Sequence, residues 1–525
     1  MKKVGERRLK TSIRPKKGFY NLNVTKNLES ISENIVSIQS WLRPALTPVL
    51  RNRDHQRLVD DLEKLDHDLK VSGLEARAIE FALEGLDPGA SPKQRNRRAE
   101  FAVYALRVEL LRQMLGVPGF EAFSVTLAGS DLLSDFCGCR SIAGIRWTSK
   151  SSLHRASLLF SEEQLREFNT LLVECLGSAP SSVQLGLEEP EELSVCLIDT
   201  TCLEANIHYP VDWVLLCDVS TTLLKAIKLI RKEGLLNRMV DLPGQLSRSM
   251  NRLCIEMTHT RGKAGAKKAR KGILRKMKAL LKRIGRHAHR HRDLLKSGYE
   301  QTKLSRAQSN RIIARIDEKL ELLPKVIEQA HERIIGGRQV KNEEKILSAH
   351  ESDIDVIVRG KAGASVEFGN ELILSESAGG LIVDYMLYGK GAPDERVKLT
   401  ESVKRQQKLR VEHPLATVVA DRGFDGTKTI LWLQSQKVTS QICPKDPQVF
   451  SERLKDAEFS RLQRRRAGTE ARIAILKNHT GARVWRAKGL AHRRLAVGWS
   501  VLAHNLIWIA RTVREQQQAP PARAA

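Results

Sequence analysis

A chain of 525 residues with a formal charge of +27 has room for two to four domains and is far more basic than solubility requires. The excess points to a polyanionic partner, nucleic acid or an anionic membrane, and the membrane option is the weaker one. The most apolar segment, 494–510, is short for a span and carries Gly, Ser, His and Asn, so it reads as a buried helix. Eight of the first seventeen residues are Lys or Arg, and no apolar stretch of the secretory kind follows them. Residues 1–30 therefore read as a basic arm, either an organellar presequence or a mobile nucleic-acid-binding segment. The eight cysteines are scattered, and only Cys137 and Cys139 are close in sequence, so no paired zinc-ligand spacing is complete. A reduced cytosolic protein without structural metal is the expectation.

Residues 31–185 read as a helical N-terminal region and the place where DNA sequence would be read. The stretches RLVDDLEKLDHDL and AEFAVYALRVELLRQML keep apolar residues at helical spacing, and SEEQLREFNTLLVECL opens on a capping pattern. SKSSLHRASLLF predicts a short helix from Ser149 that either presents Lys150, His154 and Arg155 to DNA or forms a surface turn. Residues 178–193 are Pro- and Ser-bearing with an acidic end and read as a linker. SVCLID, ending at Asp199, is a continuous apolar run of the kind expected for a strand buried on both faces. Residues 211–345 then turn helical and basic. Between Arg261 and Arg290 there are thirteen Lys or Arg and no acid, yet Ile273, Met277, Leu280, Leu281 and Ile284 hold one apolar stripe. That pattern predicts an amphipathic helix with a cationic face. His287 and His291, one turn apart, either form a metal pair or extend that face.

Further on, ASVEFGNELILSES and GGLIVDYMLYGKG predict a hairpin turning at Gly379 and Gly380. A helix, DERVKLTESVKRQQKL, leads to TVVADRGFDG, a strand that ends on Asp421 beside Gly423. Another helix and a short strand follow, then helices to about Arg514, and the Gln- and Ala-rich residues 516–525 read as a disordered tail. With 211–345 lifted out, 191–210 and 346–515 form one α/β unit with a mixed sheet. Two strand-end aspartates, Asp199 and Asp421, then converge if their strands are adjacent. Glu470 is the candidate third acid. Arg466, Glu470, Ile473 and Lys477 share one helical face if the helix is continuous, although Gly468 interrupts the run and Glu470 could equally form a surface ion pair.

These residues resemble the DDE transposases of bacterial insertion sequences, in the group whose last acid lies in a Tyr-x2-Arg-x3-Glu-x6-Lys signature. Arg466, Glu470 and Lys477 reproduce the spacing, while Gln463 stands at the tyrosine position. LIDTT with NIHYP around Asp199, VEFGNELIL, ADRGF around Asp421 and SVLAHNL near the C-terminus resemble the same group in the same order. The resemblance spans roughly 95–515. It implies an α/β RNase H-like catalytic domain with a mixed sheet, a large basic helical insertion after the first strand, and a helical N-terminal region. It implies a catalytic and metal-binding triad of Asp199, Asp421 and Glu470 holding two Mg²⁺ ions, which Mn²⁺ can replace. Arg466 and Lys477 would contact the DNA end.

Hydrolysis of a phosphodiester without a covalent enzyme intermediate suits converging carboxylates, because hard divalent ions take a few oxygen ligands and leave open positions. No Cys, Ser or His constellation offers a comparably placed nucleophile. The cationic helix, through Lys267, Lys268, Arg270 and Arg275, is the first candidate for phosphate contact and the N-terminal arm the second. The expected partners are double-stranded DNA, both element terminal repeats and target, and a second copy of the chain assembled on it, in the bacterial cytoplasm at the nucleoid, with no membrane. Two rivals stay open: a catalytically inactive DNA-binding regulator derived from a transposase, and another RNase H-like nuclease such as a junction resolvase.

Overall fold

The computed structural model describes residues 53–117, 119–141, 144–260, 265–361, 364–409, 413–478 and 487–518. The chain divides into two compact units, one reaching Pro190 and resuming at Leu502, the other running from Glu191 to Val501. The expected basic arm over 1–30 lies outside the described residues, as do 519–525 of the expected tail. Among the described residues no helix is long and apolar enough to cross a membrane.

The described residues of the first unit are mainly helical: α1 (Arg53–Val71), α2 (Leu74–Glu84), α3 (Pro92–Met114), α4 (Phe120–Ala128), α5 (Asp131–Phe136), α6 (Lys150–Ser157), α7 (Glu162–Gly177) and α8 (Ala179–Gln184). Ser91 and Ser161 close full capping boxes at α3 and α7, as Ser-x-x-Gln spacing dictates. Ser149 caps α6, which buries Leu153 and Ala156 and sets His154 edge-on to Phe120 at 5.8 Å. The expected linker is only partly extended, because Pro180 in its first turn lets residues 179–184 wind into α8.

The second unit holds a six-stranded sheet. β1 (Val195–Glu204) continues five residues past Asp199, so this acid sits mid-strand and not at a strand end. The run Thr200–Thr201–Cys202–Leu203 is β-branched and apolar enough to carry the ladder onward, and Thr200 to Leu203 are buried. β2 (Asp355–Lys361), unexpected from the sequence, pairs with the start of β3 (Ala364–Ser377), and β4 (Ile382–Leu387) pairs with its end across the Gly379–Gly380 turn. β3 runs antiparallel to β1, whereas β5 (Thr417–Ala420) and β6 (Thr439–Ile442) extend the sheet in parallel on the other side. The order is β2-β3-β1-β5-β6, with β4 on β3. Gly369 of the VEFGNELIL stretch is required by space: any Cβ there would collide with the Leu203 carbonyl on β1. Between strands lie α13 (Glu395–Leu409) and α14 (Thr427–Ser435), followed after β6 by α15 (Pro447–Arg453), α16 (Ala457–Arg466) and α17 (Thr469–Asn478). The last helix, α18 (Leu490–Gln518), starts in this unit and ends in the first; its final residues, 516–518, belong to the segment expected as tail. A mixed sheet flanked by helices, in this strand order, is an RNase H-like arrangement.

Between β1 and β2 the chain makes the basic helical insertion, α9 (Asp212–Lys232), α10 (Pro243–His259), α11 (Ala266–Gly298) and α12 (Arg306–His331). Ile273, Met277, Leu280, Leu281 and Ile284 of α11 all enter one core with Leu223, Ile227, Met250 and Ile316. The 33-residue helix therefore earns its place by its apolar stripe and leaves Lys267, Lys268, Arg275, Lys276, Lys282, Arg286 and Arg290 exposed. His291 does neither thing expected of it. It is fully buried, its Nδ1 donating to the His287 carbonyl at 2.7 Å and its Nε2 facing Arg231 Nη1 at 3.4 Å.

Candidate active site

The register of two parallel strands sets the site. Ile198 on β1 lies beside Ala420 on β5, so the next step of each strand brings Asp199 beside Asp421. Alternation then assigns the faces: Leu197, Asp199, Thr201 and Leu203 point one way, Cys196, Ile198, Thr200 and Cys202 the other. On the Asp199 face, Leu462 of α16 packs against Leu197 and Val419, and Ile473 and Leu476 of α17 pack in the cluster that holds Leu203. The break between these two helices, at Ala467 and Gly468, thus falls at the level of Asp199.

That break decides what the signature spacing means. Arg466 and Glu470 do not share a helical face, because α16 ends at Arg466 and α17 begins at Thr469. Gly468 cannot carry the helix cheaply, and the chain re-enters with a buried Thr469. Both side chains still come to Asp199. Arg466 Nη1 is 3.9 Å from Asp199 Oδ2, and Glu470, at the first turn of α17, is near enough to disfavour the charge on Asp199. Ile473 turns into the core, and Lys477 lies half-buried on the last turn of α17. The amide of Gln463, at the signature's tyrosine position, donates to the carbonyls of Ala420 at 3.4 Å and Gln441 at 2.7 Å, and its oxygen accepts from Arg466 Nε at 3.2 Å. It ties α16 to the C-terminal ends of β5 and β6 and steers Arg466.

Burial pushes the Asp199 carboxyl up to about 6. The Thr200 backbone N–H, donating to Oδ1 at 2.7 Å, works against that rise, as does Arg466, while Asp421 and Glu470 add to it. Asp421 caps the tight turn Arg422–Phe424, its Oδ1 accepting from Gly423 N at 2.8 Å.

A fourth carboxylate, missed in the sequence, enters from the opposite face. Glu395, in the first turn of α13, accepts from Thr200 Oγ1 at 2.9 Å. Burial pushes its carboxyl up, against the Thr200 hydrogen bond and with help from Asp421. Its Oε2 occupies the space where a Cβ on residue 423 would stand, so a side chain there would have to push the Glu395 tip aside; the constraint at Gly423 is room, not an unusual backbone angle. A Gly423→Ala chain should therefore displace the Glu395 tip and lose the Thr200 hydrogen bond, worth about 1 kcal/mol. Denaturant melts should show that loss in the wild-type background and no further loss when Thr200 is already Val.

Among the described residues no group of three or more His, Cys, Asp or Glu is arranged as a ready metal site. The donor chemistry nevertheless suits a hard divalent ion: Asp199 and Asp421 follow the last pair of one parallel ladder, Asp421 and Glu470 both act on the Asp199 charge, and Asp199 Oδ2 meets Arg466 only beyond hydrogen-bonding reach. On the insertion, Lys267, Lys268 and Arg275 are exposed, while Arg270 is half-buried with its guanidinium 4.9 Å above the Trp213 ring.

The RNase H-like sheet runs Asp199 and Asp421 out of the shared end of its parallel β1–β5 ladder. Residues 372–506 match the family described as Transposase DDE domain. The chain thus carries a DDE-transposase domain over that segment, which includes Asp421 and Glu470. Asp199 precedes it, across the insertion, and is joined to it by strand register. No curated protein and no solved structure matches the chain significantly.

Proposed function

We propose that this protein is a DDE transposase that cuts the ends of a DNA element and joins them to target DNA, with Asp199, Asp421 and Glu470 holding two Mg²⁺ ions or Mn²⁺ in their place. The observation that supports this reading is the strand register that runs Asp199 and Asp421 out of one parallel ladder, with Glu470 acting on the Asp199 charge, in a chain whose residues 372–506 match the transposase DDE domain. Bound ions would supply a nucleophilic oxygen at neutral pH and offset charge on the leaving oxygen. The chain's own groups do the rest. Arg466 lowers the cost of charge on Asp199 and stands ready for a phosphate oxygen. Lys477, one face along α17, serves the same DNA end. Lys267, Lys268 and Arg275, exposed on α11, grip the phosphate backbone, which makes binding steeply salt-dependent, while Arg270 is held against Trp213. Paired ends call for two copies of the chain on DNA, and the setting is the bacterial nucleoid.

The test is cleavage of a labelled DNA fragment carrying the element's ends, with Mg²⁺, by the full chain and by Glu470→Gln. The expected result is cleavage by the natural chain and a loss of about 10²–10³-fold or more in the variant, with DNA binding retained. Equal cleavage by both would remove Glu470 from the mechanism. Binding without cleavage by either would favour the regulator.

A further inference from the structure

We infer that Glu395 is a positioning residue that clamps the Asp199 and Asp421 segments into one arrangement. The two aspartates come from chain segments with no covalent reason to stay in step beyond Ile198 and Ala420, where the ladder ends. Thr200 reaches both ways across that gap. Its backbone N–H holds Asp199 Oδ1 at 2.7 Å, and its hydroxyl, on the opposite face of the sheet, donates to Glu395 Oε1 at 2.9 Å. The other oxygen of Glu395 rests against Gly423, whose N–H holds Asp421 Oδ1 at 2.8 Å. One carboxylate thereby touches the residue that orients each aspartate.

The helix that carries Glu395 is itself fixed. Lys398, one turn on and 2 % exposed, binds Glu371 of β3 at 2.5 Å, and Gln406 reaches Cys196 of β1 at 3.5 Å. Leu399 and Val403 are fully buried on the same face. An acid in a helix's first turn has an ordinary use, offsetting the backbone dipole at the surface. Glu395 instead turns inward, to a hydroxyl 195 residues away in sequence. Supporting groups of this kind fix the orientation of the carboxylates that do the chemistry, and their loss typically costs about 10–100-fold in metal affinity.

The clamp presupposes that Asp199 and Asp421 act together, as proposed for the function. It is tested on the full chain as Glu395→Ala, Glu395→Gln and Thr200→Val, by two measurements. In the first, Mg²⁺ alone is titrated and the rise in melting temperature followed. Glu395→Ala and Thr200→Val should need about 10–100-fold more Mg²⁺ for half the rise. Glu395→Gln, whose amide oxygen still accepts from Thr200, should recover most of the response. In the second, without metal, hydrogen exchange at Gly423 should be faster in Glu395→Ala and close to wild type in Glu395→Gln. Unchanged exchange in Glu395→Ala overturns the clamp, and so does a Gln variant as impaired as Ala, which would make the charge itself the active element. Changed exchange beside a wild-type melt indifferent to Mg²⁺ upholds the clamp and removes the metal reading instead.

Discussion

Asp199→Asn should melt higher than the natural chain at pH 7.5 in the absence of divalent ions, although it removes a residue central to the proposed chemistry. Burial raises the Asp199 carboxyl from its usual 3.8 to about 6, with Asp421 and Glu470 adding to the rise. The native state therefore binds this proton more tightly than the unfolded state does, and stability falls as pH rises between those two values. Above about pH 6 the whole cost is present; the gap corresponds to about 3 kcal/mol. Asn keeps the acceptor for the Thr200 N–H and sheds the charge, so it should recover most of that energy at pH 7.5 and almost none at pH 4. Saturating Mg²⁺ should close the difference from the other side. An ion present at about 100 times its dissociation constant contributes about 2.7 kcal/mol to a chain that binds it and far less to the Asn variant. Melting curves of both proteins at pH 4 and 7.5, with and without Mg²⁺, measure all of this. An Asn variant no more stable at pH 7.5 without metal would mean that Asp199 is not held in an unfavourable environment.

The sequence displays what is repeated or uninterrupted and hides what is singular. The apolar run into Asp199, the Gly379–Gly380 hairpin and the stripe of α11 are periodic signals, and each names its element correctly. β2 went unseen because Asp355–Lys361 offers only a few β-branched residues beside Gly360 and Lys361, a pattern that pairing with β3 completes. Gly468 marked a possible interruption in sequence, but where the two helices on either side of it come to rest depends on Leu462 and Ile473 binding opposite ends of one strand face. Glu395 was illegible for a different reason. In DERVKL it is one acid among charged neighbours at a helix start, and only the sheet brings it to Thr200 and Gly423. The charge of the chain pointed to a polyanion without separating Arg270, folded onto Trp213, from the exposed Lys267, Lys268 and Arg275.

Glu376 anchors the break that brings Glu470 to the site, and its truncation should cost both stability and activity. It lies beside Leu197 across the β1–β3 ladder, on the face covered by α16 and α17, and its side chain is only 2 % exposed. Oε1 accepts from Thr469 Oγ1 at 2.7 Å and from Arg465 Nη1 at 3.3 Å, and Arg472 Nε stands 3.9 Å from Oε2. One carboxylate thus holds the last turn of α16 and the first two turns of α17. Glu376→Ala leaves the Thr469 hydroxyl and Arg465 without it, and removing one partner of a buried pair costs about 3–5 kcal/mol. The lower end, about 3 kcal/mol, is expected because the side chains of Arg465 and Arg472 are each 25 % exposed and can reach water. Burial pushes the Glu376 carboxyl up despite Thr469 and the two arginines, so the natural chain gains stability as pH falls through that raised value toward 4.5. The Ala variant lacks this gain, and its deficit should be wider at pH 4.5 than at pH 8. Glu376→Gln, which keeps an acceptor for Thr469, should lose about 1 kcal/mol or less and retain Glu470 in place. Denaturant melts at the two pH values, set beside cleavage by the same proteins, separate the possibilities. An Ala variant that melts like the natural chain at both would show that α17 is held over Asp199 by its apolar face alone.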